Sequence, residues 1–258
     1  MACQLVTNTV ISPVHTVLSP DTGAGKPNGT SNHLQIMLTN REYISELSTL
    51  ITSRVIAADQ ETERKASQDV LDLALQDQAY GSKASIAELV DQARTFLFAG
   101  HDTTASAITW MYYYLSRHPT CLSKLKAEHE RVFGAAIDPF HIALQISADP
   151  KILAKLDYTL ATMKEVLRLR PIGDGVRYSP RGYVIRHPNG AEFDTTDMIL
   201  SIQHEGLHTK EDVWGPNAKE FEPERFMPGK PVPVGYMPFA QRPRDCIGRN
   251  LAYLEVSL

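Results

Sequence analysis

The chain has 258 residues, of which 43% are hydrophobic and 22% charged. That is enough apolar surface for a substantial core, and it excludes wholesale disorder. A net charge of −4 with no basic block argues against nucleic acid as the main partner, and three scattered cysteines, Cys3, Cys121 and Cys246, do not make a disulfide framework or a cysteine-rich zinc module.

Residues 1–40 read as an irregular segment. Ser19 to Asn32 is turn chemistry throughout, and Gly23-Ala-Gly25-Lys26 lacks the spacing of a phosphate loop. No apolar run reaches the ~20 residues of a membrane span, and Met1 to Leu18 has no basic n-region of a signal peptide. No membrane anchor is therefore expected. From Arg41 helical spacing begins, first through Ile44, Leu47, Leu50, Ile51 and Val55, then through Val70 to Leu75. Ser85 and Glu88 form a capping box that opens a long helix, reaching to about His118 before Pro119, some ~50 Å in length.

In the middle of that helix lies Ala99-Gly100-His101-Asp102-Thr103-Thr104. Glycine and threonine weaken the helical ladder locally, so a kink or bulge is expected there. Two readings stand: a packing notch of small residues, or a place where something flat meets the helix and a polar pair handles protons. Pro119 to Phe133 predicts a further helix with Leu122, Leu125 and Val132 inward and Lys124, Lys126, Glu128 and Glu130 exposed; Cys121 reads as a small buried hydrophobe. Gly134 to Pro150 reads as a loop with one short helical turn. Lys151 to Arg170 reads as one helix, and in it Glu165 and Arg168 share a face. An exposed pair of that kind is worth little.

After Pro171 the pattern turns strand-like, in Tyr183-Val-Ile and Met198 to Ile202, around the turn His187-Pro-Asn-Gly190; a small sheet is expected. His204-Glu205-Gly-Leu-His208 spells H-E-x-x-H, which binds zinc only where a helix brings both imidazoles together. A strand-like run before it, a glycine within it and a turn-rich stretch after it argue against a helix. A zinc hydrolase is the third-ranked reading. Phe221-Glu-Pro223-Glu-Arg225-Phe226 follows. Near the end stands Phe239-Ala-Gln-Arg-Pro-Arg244-Asp-Cys246-Ile-Gly248, with a helix-forming run directly behind it. A sulfur at a helix start, near arginine, favours the thiolate, and a thiolate is an axial ligand for haem iron.

This last stretch resembles the cysteine-ligand loop of cytochromes P450, F-x-x-G-x-R-x-C-x-G, with Arg242 where the family has glycine. Three further motifs appear in the family's order. Gly100-His-Asp102-Thr103-Thr104 resembles its central-helix segment, Glu165-x-x-Arg168 its E-x-x-R, and Pro223-Glu-Arg225-Phe226 its P-E-R-F. The resemblance implies a mainly α fold with a small β-sheet, lacking both ends of a full-length member, with residues 41–258 as a partial haem domain of the fungal microsomal type.

It also implies a haem-thiolate monooxygenase that puts one atom of O2 into a small, hydrophobic organic substrate, with secondary metabolism as the expected setting. Heme b would be held by Cys246 as iron ligand, with Arg244, Gly100, Phe239 and Arg177 as cofactor-binding residues. Asp102 and Thr103 would be catalytic, and Glu165, Arg168 and Arg225 would form a buried charge cluster. Electrons would come from an NADPH-dependent P450 reductase. The family usually sits on the endoplasmic reticulum membrane. The second-ranked reading is a truncated fragment without activity. At Arg242, an L-residue where a glycine turn is called for would cost ~1–2 kcal/mol.

Overall fold

The structure, a computed structural model, describes residues 45–53, 85–135, 138–241 and 243–257. The expectations for residues 1–40, for the stretch from Val70 to Leu75, for Cys3 and for Arg242 fall outside the described residues. The chain divides into two compact units, Met1–Ala99 and Gly100–Leu258. In the first, helix α1 (45–53) buries Ile51 with Leu89 and Val90, and Leu47 and Ala93 pack on them.

Helix α2 (Ile86–Arg117) begins at the expected box. The Ser85 N–H donates to Glu88 Oε2 at 2.7 Å, and the Glu88 N–H donates to Ser85 Oγ at 3.3 Å. Its α-helical hydrogen bonding runs unbroken through Ala99–Thr104. The expected bulge is absent, because one glycine and two threonines do not outweigh the bonded turns on either side.

Helix α3 (Pro119–Phe133) has Pro119 in its first turn and buries Cys121. The stretch read as a loop is largely helical. Asp138 accepts the His141 N–H at 3.1 Å and starts α4 (Pro139–Ala148), a Pro-preceding cap of the kind that favours helix entry. The single helix expected from Lys151 to Arg170 is instead two elements, a 3₁₀ turn (Pro150–Lys155) and α5 (Asp157–Leu169). Leu156, at φ −91° and ψ 56°, separates them.

The expected small sheet is two separate antiparallel ladders. Strand β1 (Gly175–Ser179) pairs with β4 (Met198–Ile202), Gly175 opposite Ile202 and Ser179 opposite Met198. Strand β2 (Val184–Arg186) pairs with β3 (Glu192–Asp194) across the His187–Gly190 turn. The polar β3 takes the turn's return leg, held by Arg186 Nε to Glu192 Oε1 at 2.6 Å, so the apolar β4 pairs elsewhere.

Helices α6 (His204–His208) and α7 (Glu211–Trp214), a 3₁₀ turn (Pro223–Phe226) and α8 (Arg249–Ser257) complete the chain. The H-E-x-x-H stretch is thus helical, contrary to the sequence expectation. Asp174 Oδ1, distant in sequence, accepts the His204 N–H at 3.1 Å and caps it.

The loop of Cys246 and its supports

Cys246 is an exposed free thiol on the loop between Phe239 and α8. Its N–H donates to the Phe239 carbonyl at 2.9 Å, which closes the loop, and its own carbonyl accepts the Arg249 N–H at 3.4 Å, which opens the helix. The thiol therefore stands just before the positive end of α8. Ala240 has φ 59°, a left-handed conformation that costs a residue with a Cβ about 1–2 kcal/mol, so strain sits within the loop itself.

Phe239 anchors the loop. Its ring meets Tyr253 edge-on at 5.2 Å, and both belong to a cluster in which Ala107 of α2 and Met163 and Leu167 of α5 are buried. Thr104 Oγ1 donates to Glu255 Oε2 at 3.0 Å, a second tie between α2 and α8. Central helix, α5 and cysteine loop thus share one packed centre. Asp102 is half-buried and Thr103 exposed on α2. A Cβ at Gly100 would meet nothing within 4 Å. Arg177 on β1 and Arg244 are exposed; the Arg177 guanidinium donates to the Val176 carbonyl at 2.8 Å.

These residues fit a flat haem with a thiolate ligand. The sulfur lies open and the nearest Cβ that could be added, at Gly248, would stay 3.9 Å from it. Ile247 beside it is 89% exposed.

Behind the loop lies a buried charge cluster. Glu165 and Arg168 are both fully buried, against the exposed pair that spacing alone suggests. Arg168 Nε and Nη2 donate to the two oxygens of Glu165 at 2.7 and 2.8 Å. Its remaining donors go to the carbonyls of His208 (2.8 Å), Glu220 (3.0 Å) and Ala218, and the guanidinium lies over the Trp214 ring at 4.9 Å. Glu165 also accepts the Glu222 N–H at 2.8 Å. Arg225 Nε is 3.6 Å from Glu165, and its Nη2 is 2.9 Å from Glu222. Sequence spacing paired Glu165 with Arg168 but did not reveal these carbonyls.

All three side chains of the H-E-x-x-H pattern have other partners. His204 Nδ1 donates to the Gly173 carbonyl at 2.9 Å, Glu205 pairs with Arg170 at 2.6 Å, and His208 Nε2 accepts the Met237 N–H at 3.0 Å. Among the described residues no group of three or more His, Cys, Asp or Glu could hold a metal ion.

With Nε2 accepting, His208 carries its proton on Nδ1, which is buried without a partner. Burial foremost, then the neighbouring His204, pushes its pKa down to about 4. A histidine whose folded pKa lies below its unfolded value stabilises the fold above pH 6.5 and loses that contribution as the pH falls toward 4. We expect urea unfolding at pH 4.5 to show about 2–3 kcal/mol less stability than at pH 7 from this group. His208→Gln, which keeps an acceptor for Met237, should remove that increment. An undiminished pH dependence in the variant would assign it to other groups.

Residues 31–258 match the family described as Cytochrome P450, and the chain belongs to that family. It is 35% identical over 172 residues to the cytochrome P450 monooxygenase polC of Polytolypa hystricis, covering 65% of this chain and 30% of that protein. Over 96% of its length it is 29% identical to the self-sufficient cytochrome P450 monooxygenase CYP505E5 of Aspergillus niger, covering 23% of that relative. A crystal structure of a cytochrome P450 (CYP102L1) superposes with a TM-score of 0.66 at 26% identity, covering 88% of this chain and 49% of that one. The chain thus spans about a third or less of these curated relatives, and its mainly helical fold with small sheets is that of a P450 part. The family's cofactor is a haem with a thiolate ligand.

Proposed function

We propose that this chain is the haem-binding part of a monooxygenase that inserts one oxygen atom of O2 into a small, hydrophobic organic substrate. The observation that supports it best is the open thiol of Cys246, set before α8 on a loop braced through Phe239 against the central helix. Cys246 would supply the thiolate ligand in this reading, on the loop that leads into α8. Heme b held there supplies activation of dioxygen, which the donating thiolate assists.

Arg177 and Arg244 neutralise carboxylates of the bound group, Phe239 holds the loop in register, and Gly100 keeps the central helix clear of it. Asp102 and Thr103 hold and deliver protons next to that clearing. Glu165, Arg168 and Arg225 keep the elements behind the cysteine loop in place. The fungal monooxygenases among the relatives support a setting in secondary metabolism. Electrons come from an NADPH-dependent reductase. Self-sufficient relatives are among those matched, so assays belong both with and without added reductase. No described helix is long and apolar enough to cross a membrane.

The second reading is a P450 fragment that lacks turnover. Haem reconstitution followed by reduction under carbon monoxide separates the outcomes. A thiolate-type Soret band together with NADPH- and reductase-dependent product supports the monooxygenase. The band without product supports the fragment, and no haem uptake removes the monooxygenase and leaves the fragment.

A further inference from the structure

Helix α5, which carries Glu165 and Arg168, opens without a local cap: Leu156 at its N-cap position makes no side-chain hydrogen bond. Two of its first-turn amides are satisfied from another helix. Glu128, read from the sequence as an exposed residue of α3, is only 5% exposed. Its carboxylate accepts the Tyr158 N–H at 2.7 Å, the Thr159 N–H at 2.8 Å and the Thr159 hydroxyl at 2.9 Å. Arg131 lies 3.7 Å from the same carboxylate, and His129 Nε2 lies 2.9 Å from the Thr159 hydroxyl. A negative charge at the positive end of a helix is where the macrodipole favours it, and burial of that charge is tolerated because its oxygens are bonded.

From this cap two connections lead to the cysteine loop. The Lys164 carbonyl accepts the Tyr236 hydroxyl at 3.0 Å, and Tyr236 lies three residues before Phe239. Met163 and Leu167 pack in one cluster with Phe239, Ala252 and Tyr253, and the Phe239 carbonyl receives the Cys246 N–H. We propose that Glu128 is a positioning residue for the cysteine loop. By pinning the first turn of α5 it sets where that helix holds Phe239 and Tyr236, and so where the thiol of Cys246 stands. The functional weight of this placement rests on Cys246 being the ligand proposed above; the mechanical coupling does not.

Amide hydrogen exchange on the full chain tests the coupling residue by residue. In Glu128→Ala, the amides of Tyr158, Thr159 and Cys246 are expected to exchange about fivefold faster or more, the effect of a lost cap, while the β1–β4 ladder keeps wild-type rates. Glu128→Gln, which keeps a carbonyl acceptor without the charge, should restore part of the protection at all three positions together. Acceleration at Tyr158 and Thr159 alone makes Glu128 a local cap and overturns the proposal. So does a uniform rise that includes the β1–β4 ladder, and so does no change. If Glu128→Ala does not fold, Glu128→Gln and Thr159→Val carry the same comparison. The readout needs no haem, so a negative result here is separate from a failure of Cys246 to ligate.

Discussion

Replacing Cys246 with alanine should abolish the thiolate-type Soret band of the reduced carbon monoxide complex while leaving the protein folded. The two halves of that expectation have different physical origins. The thiol is exposed and free, its loop is closed by backbone bonds from Phe239 to Cys246 and from Cys246 to Arg249, and alanine keeps both. Surface changes that touch no such feature stay within about 0.5 kcal/mol, so the urea midpoint should hardly move. The sulfur, by contrast, has no substitute nearby. The other described cysteine, Cys121, is buried in the cluster with Leu115, Val166, Leu169 and Phe221, and the two histidines of α6 are engaged with Gly173 and Met237. Cys246→His separates ligand loss from site collapse. It should bind haem with an imidazole-type spectrum if the pocket is otherwise intact. A thiolate band that survives in Cys246→Ala would remove Cys246 as the ligand.

Where the sequence was legible, the reason was local. Ser85 and Glu88 are three residues apart, and their box forms because both partners lie within one turn. Pro119 ends one helix and begins the next by its own backbone chemistry. The four P450 motifs carried the family for a different reason: each is a short string whose order along the chain can be read without knowing the fold.

What stayed hidden depended on partners far away in sequence. Glu128 sits among charged residues on α3 and looks solvent-facing; only the amides of Tyr158 and Thr159, thirty residues on, explain its burial. The same contact explains why α5 starts at Asp157 instead of continuing from Lys151. Asp174 likewise turns the H-E-x-x-H stretch into a helix that its own glycine disfavours. In the ladders the choice between β3 and β4 as partner of β2 was set by the length of the turn, while hydrophobicity pointed to β4.

Breaking the Glu165–Arg168 pair should cost more than any other single change among the described residues. Arg168 is fully buried and spends its donors on Glu165 and on the carbonyls of His208, Ala218 and Glu220. Glu165→Ala leaves a guanidinium without its counter-charge in the interior, a loss of about 3–5 kcal/mol. That is a large part of the roughly 5–15 kcal/mol that holds a domain folded. An ordinary buried ion pair can often be replaced by two apolar residues at little cost. Here that rescue should fail. In Glu165→Leu combined with Arg168→Met, three carbonyls lose their donor, and the two buried ones, of His208 and Ala218, each become an unsatisfied group worth about 1–3 kcal/mol. Arg168→Lys should also fall short, since one ammonium cannot serve a bidentate carboxylate and three carbonyls in different directions. Urea unfolding of the three variants decides it. If the double variant matches the wild type, the pair acts as a simple ion pair. If it is at least as unstable as Glu165→Ala, Arg168 is the tie that binds α5 to α6 and to the segment leading into the Pro223–Phe226 turn.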